Sequence, residues 1–157
     1  YAGAMISTDQ PNDGPEQPSV FTRIIRGELP GRFVWRDDEV VAFLTIAPMN
    51  PGHTLVVPVR QVDHWTDVDP VLWGRISTVQ HAVGRAVMRA FDPTRVGVII
   101  AGMEVPHCHV HVLPIDSESE LNFARADHSP DPAVLDDAAE RIRAALRELG
   151  HSEVADA

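Results

Sequence analysis

Residues 107–114 read His-Cys-His-Val-His-Val-Leu-Pro. Imidazoles and small apolar side chains alternate with a strict period of two, and an extended strand turns that period into two unlike faces. His107, His109 and His111 then share one face, while Cys108, Val110 and Val112 share the other. Any fold for this chain must bury the valine face and give the histidine face something to do. The strand is expected over 107–113, stopped by Pro114.

The flanking segments supply the elements around that strand. Residues 33–36 and 39–44 are rich in β-branched and aromatic side chains and are separated by Asp37-Asp38, which predicts a hairpin. Pro48 and Pro51-Gly52 break the chain before a third strand at 53–58. Asp69 followed by Pro70 is a helix start, and Val71, Leu72, Ile76, Val79, Val83, Ala86, Val87 and Ala90 recur at three- and four-residue steps. That stripe predicts one long core-facing helix over 69–91. An apolar strand is expected at 96–101, ended by Gly102. A second helix is expected over 131–149, with Asp131 as its cap and Gly150 at its end. A short helix or turn at 20–26 opens the ordered chain.

Strands grouped before and after a single helix predict an α+β domain. The organisation reads as a disordered tail over 1–18, a domain over 19–115, and a loop with the C-terminal helix over 116–150. A flexible tail is expected over 151–157. His64, His81, His128 and His151 fall outside the alternating pattern and read as surface residues. Trp35, Trp65 and Trp73 read as packing residues.

Composition excludes several chemistries. The 13 basic residues are all arginine. With no lysine there is no Schiff base, no lysyl-adenylate and no P-loop. The net charge of −10 argues against a nucleic-acid partner, because duplex binders carry a basic surface. The single cysteine, Cys108, excludes an intrachain disulfide and fits a reducing compartment, hence a cytoplasmic location. No segment approaches the length of apolar residues that crosses a membrane, and the N-terminus does not read as a signal peptide.

Imidazole serves as base, nucleophile or metal ligand. Two rings at i and i+2 stand roughly 6.5–7 Å apart along a strand and could share a metal, with His53 or His64 as third ligand. Alternatively, a neutral imidazole attacks phosphorus to give a phosphoramidate intermediate while its neighbours donate hydrogen bonds to the phosphate oxygens. The residues alone leave both readings open. Cys108, on the valine face, reads as a buried thiol rather than a nucleophile.

The histidine strand resembles the signature of the histidine triad (HIT) family. The resemblance extends to FTRIIRGELP at 21–30, DDEVVAFL at 37–44 and PGHTLVVP at 51–58. It implies a five-stranded antiparallel sheet with one long helix packed on it, the C-terminal helix being an addition. It implies hydrolysis or transfer at the α-phosphate of purine nucleotide conjugates, without a cofactor, by a homodimer. By motif match His109 is the nucleophile, flanked by His107 and His111 and supported by His53. Phe21, Phe43, Ile46 and Leu55 would line the nucleoside pocket, and the backbone of Met103, Glu104 and Val105 would approach the phosphate.

Several positions depart from the family pattern. Thr45 stands where an aspartate usually holds the ribose hydroxyls. Ala101 and Met103 replace polar residues in a shortened loop. These losses leave a second reading open, a nucleotide-binding protein with little turnover. Some relatives hold structural zinc through a Cys-x-x-Cys pair and a further histidine. Ser19, Thr22 and Gln61 stand at those places, so no metal is expected.

Overall fold

The computed structural model describes residues 17–157. Of the tail expected over 1–18, residues 1–16 lie outside the described residues. Gln17 is already held, its carbonyl accepting from the Gln61 amide at 3.1 Å.

Five strands, β1 (Phe33–Arg36), β2 (Val40–Leu44), β3 (Thr54–Pro58), β4 (Arg95–Ile99) and β5 (Val110–Ile115), form one antiparallel sheet in the order β1-β2-β3-β5-β4. The helices are α1 (Val20–Ile25), α2 (Pro70–Phe91) and α3 (Pro132–Glu148). Asp69 caps α2 by accepting from the Leu72 amide, and Asp131 caps α3 by accepting from Ala133. Each such cap contributes about 1 kcal/mol.

The sheet has two dressed faces. One carries Val34, Val40, Ala42, Val56, Cys108, Val110 and Val112, which pack against the Ile76–Val79–Val83–Ala86–Val87 stripe of α2 and against Ile142 and Leu146 of α3. Val71 is the exception in the expected stripe, 82% exposed because it lies in the first turn of α2, where the chain has only just entered the helix. The other face is covered in two separate patches. On the β2–β3 side, Phe21 of α1 packs with Val41, Phe43, Leu55 and Val57. On the β4–β5 side, Leu113, Ile115 and Met49 are covered by Leu121 from the segment after β5. Between these patches the second face is left to histidines.

Most strand boundaries fall within one or two residues of the sequence expectation, and the larger differences are at β5 and at the C-terminus. Strand β5 begins at Val110, so His107 and His109 precede it, and it runs through Pro114 to Ile115. Proline is tolerated there because β5 and β4 pair to Ile115 without needing its missing N–H. The residues after Gly150 are not a loose tail. Arg36 N–H donates to the Glu153 carbonyl at 2.9 Å and Ala155 N–H to the Val34 carbonyl at 3.1 Å, so Val154 bridges Trp35 and covers the β1 edge. His151 is correspondingly half-buried, its ring edge-on to Trp35 with centroids 5.2 Å apart.

Candidate active site

Three histidines, His53, His109 and His111, meet at the gap in the second face. His109 and His111 have ring centroids 4.9 Å apart, and those of His111 and His53 are 5.1 Å apart. His53 arrives from the turn before β3, where Gly52 at φ +97° reverses the chain; a Cβ there would lie 2.6 Å from the Phe91 ring. All three are buried, as is His107 beside them.

Hydrogen bonds fix which nitrogen carries each proton. His109 Nδ1 lies 2.7 Å from the His107 carbonyl. A carbonyl only accepts, so Nδ1 bears the hydrogen and Nε2 bears the lone pair. Nε2 has no hydrogen-bond partner among the described residues, yet it is not sealed from solvent. That is the state a nucleophilic imidazole requires.

The same reasoning runs through a second chain. The Met49 N–H donates to His53 Nδ1 at 3.1 Å. The remaining His53 hydrogen is therefore on Nε2, which donates to His111 Nδ1 at 2.9 Å. His111 in turn keeps its hydrogen on Nε2. One backbone amide thus sets two tautomers and leaves His111 with an N–H available for the site.

Burial keeps these rings neutral. It lowers the His53 pKa to about 4, with the nearby His109 adding to the effect. His111 is lowered to about 3 by burial and by the charges of His109 and His53. His109 is also lowered by burial, opposed by its bond to the His107 carbonyl and by the Glu104 carboxylate. Cys108 points away into the valine face, where burial pushes its thiol up to about 11 and leaves it a poor nucleophile.

The His107 ring does not face the gap beside His109 as its place in the alternating pattern suggests. Its Nε2 donates to the Pro58 carbonyl at 2.7 Å and its Nδ1 faces Ser19 Oγ at 2.7 Å. What His107 offers His109 is its carbonyl. Ser19 also caps α1, accepting from the Thr22 amide, and Thr22 Oγ1 and the Ser19 N–H both donate to Gln61 Oε1 at 2.8 Å. Ser19, Thr22 and Gln61 are the three positions at which the family resemblance would place zinc ligands. Neutral hydroxyls and an amide already bonded to one another are not a zinc donor set, which needs thiolate, imidazole or carboxylate. The cluster does not fit the metal.

The remaining candidates are distributed around His109. The Phe21 ring stands edge-on to His109 with centroids 4.9 Å apart and touches Phe43 at 5.5 Å, and Leu55 pairs in register with His111. Phe21, Phe43 and Leu55 are buried together, whereas Ile46 is 74% exposed and not part of their cluster. Thr45 Oγ1 accepts from the Ala47 N–H at 3.2 Å. Met103 is 91% exposed, Glu104 acts on His109 through its charge, and Val105 packs on the Phe21 cluster. His64, His81 and His128 are exposed and take no part in the cluster.

Sequence reasoning missed two contributors, the Met49 backbone amide and Phe123. The latter, in a short 3-10 turn at Phe123–Arg125, sets its ring 5.0 Å from His111 at 75°. A lone aromatic in the polar stretch 115–130 is the signal that points to it.

Residues 26–118 match the HIT domain family. An uncharacterized HIT-like protein of Methanocaldococcus jannaschii is 37% identical over 99 residues, covering 60% of this chain and 77% of its own. Among solved structures, a Hit-like protein from Bartonella henselae superposes with a TM-score of 0.75 at 30% identity, covering 83% of this chain and 98% of that one. A zinc-bound histidine triad family protein from Mycobacterium smegmatis gives 0.72 at 27% identity, covering 83% and 94%. A five-stranded antiparallel sheet with its histidines gathered on one face defines a histidine triad protein. This chain belongs to the HIT family.

Proposed function

We propose that the protein is a nucleotide hydrolase or transferase acting at the α-phosphate of purine nucleotide conjugates such as phosphoramidates and adenylates. The observation that carries this reading is the His109 tautomer, held by the His107 carbonyl with Nε2 open toward the gap. His109 Nε2 attacks phosphorus, a P–N bond to the enzyme forms, and the bond to the leaving amine breaks. The His111 Nε2–H supplies a hydrogen bond to the departing nitrogen as charge builds on it, and that nitrogen takes its proton from solvent. Water then attacks the nucleotidyl-histidine, the P–N bond to His109 breaks, and the nucleotide leaves.

The nucleoside would sit against Ile46 over the Phe21–Phe43–Leu55 cluster, with the 103–105 backbone at the phosphate. A homodimer is part of the proposal. The β1 edge is covered by residues 153–155, whereas β4 is an edge strand with Val98 exposed, a surface suited to a second copy.

Thr45 favours one alternative. Its hydroxyl is engaged within its own turn and cannot grip two ribose hydroxyls as a carboxylate does, which suits a binding protein with little turnover. One assay separates the two. Adenosine 5′-phosphoramidate is incubated with wild-type protein and with His109→Ala, with and without chelator, and AMP release is followed. Release that needs His109 and ignores chelator supports the enzyme. AMP binding without release supports the alternative.

A further inference from the structure

An open groove of about 400 Å³ lies between α1 and the chain leaving β3. It is lined by Pro18, Thr22, Arg26, Val59, Arg60 and Gln61, and by none of the three histidines of the gap. That volume suits a small-molecule site. Thr22 and Arg26 are one helical turn apart and project from the same side of α1, and residues 59–61 face them.

The floor of the groove is fixed. Gln61 Oε1 accepts from the Ser19 N–H and the Thr22 hydroxyl, both at 2.8 Å, and Gln61 Nε2 donates to the Gln17 carbonyl at 3.1 Å. These bonds hold α1 and the chain after β3 at a set spacing, so a ligand has little to order on arrival.

The walls carry two arginines whose charge is not neutralised. Other arginines nearby in the chain are engaged, Arg23 with Glu28 at 3.3 Å, Arg32 with Asp136 at 2.7 Å, and Arg36 over the Phe33 ring at 4.2 Å. Arg26 has no ion pair among the described residues. Arg60 meets Asp69 at 3.9 Å, with both side chains more than half exposed, a pairing that contributes little in water. The other Asp69 oxygen already caps α2. In a chain of net charge −10, a groove with two such guanidiniums selects for anions.

The pair also selects among anions. Each guanidinium presents a planar fork to two oxygens of a phosphoryl group, and two positive charges match a dianion. A carboxylate would leave one of them unmatched. The groove is larger than a bare phosphate ion, and Val59 and Pro18 bring apolar surface to it.

We propose that this groove is a second ligand site, separate from the histidine gap, that takes a phosphate monoester. Its phosphoryl group lies between Arg26 and Arg60 and its organic part lies against Val59 and Pro18. The proposal stands apart from the reading of His109 as a nucleophile.

The test titrates the full chain with phenyl phosphate, inorganic phosphate and benzoate by calorimetry at low ionic strength, and follows backbone amide resonances with phenyl phosphate. Phenyl phosphate is expected to bind, to bind less tightly as salt is added, and to shift the amides of residues 22–27 and 59–61. Inorganic phosphate and benzoate are expected to bind more weakly. Arg26→Gln and Arg60→Gln each weaken phenyl phosphate binding by about tenfold or more. Both side chains are exposed, so both variants keep the wild-type melting temperature. No binding of phenyl phosphate, shifts confined to residues 103–111, or undiminished binding in Arg26→Gln/Arg60→Gln overturns the proposal. Inorganic phosphate or benzoate binding as tightly as phenyl phosphate overturns the assignment to a monoester.

Discussion

His53 Nε2 donates to His111 Nδ1 across 2.9 Å, and the Met49 backbone amide is what makes His53 the donor. Without that donor the His111 hydrogen is free to move to Nδ1, and the site loses the N–H it needs. Replacement of His53 by Ala is expected to lower kcat/KM for adenosine 5′-phosphoramidate by about 10–100-fold, the range for partners that orient an active imidazole. His53→Gln, which keeps an N–H, recovers part of the loss. Steady-state kinetics on the two variants decide it, and equal loss in both would mean that His53 only fills space.

The acid side of the pH profile follows from the same burial. His109 must be unprotonated at Nε2, and its pKa is lowered by burial. The lone pair therefore survives to lower pH than in an ordinary imidazole, and the acid limb of kcat/KM is expected below pH 6.5. Glu104 pulls the other way, since its carboxylate favours the charged ring. Glu104→Gln is expected to move the limb further toward acid, and a move toward neutral pH would contradict this electrostatic assignment.

Stability has a linked dependence. His53 and His111 have folded pKa values of about 4 and about 3, below the ordinary 6.5. The unfolded chain takes up protons first as pH falls. Their contribution is fully present above about pH 6.5 and is lost as pH falls from there through the folded values. Denaturant midpoints measured between pH 7.5 and 4.5 should decline through this window.

At the other end of the site, Ser19 caps α1 and bonds His107 Nδ1. Ser19→Ala removes a cap and the shorter of the two hydroxyl contacts to His107 Nδ1, and is expected to cost about 1–3 kcal/mol in urea unfolding. Because hydrogen bonds rather than a metal join Ser19, Thr22, Gln61 and His107, chelator should leave the melting temperature unchanged. A drop on chelation would show that a metal holds this corner.

Period and punctuation made much of this legible. The alternation at 107–112 put the valines on one face and the histidines on the other, and Asp69-Pro70 and Asp131-Pro132 marked both long helices. The role of His107 was not legible, because alternation gives the side of a strand but not whether the strand has begun. At His107 it has not, and the ring turns back to Pro58 and Ser19. Phe123 and Val154 were hidden for a related reason. Both act through contacts with distant segments, His111 and Trp35, that no local pattern encodes. The Met49 amide belongs to a backbone position whose direction is set by a turn, invisible in side-chain chemistry.

The decisive observation concerns the covalent intermediate. Wild-type protein mixed with phosphorus-labelled adenosine 5′-phosphoramidate and quenched within the first turnover should carry label on His109, lost in acid and absent from His109→Ala. Turnover with no protein-bound label, or label that persists in His109→Ala, would contradict nucleotidyl transfer through this histidine.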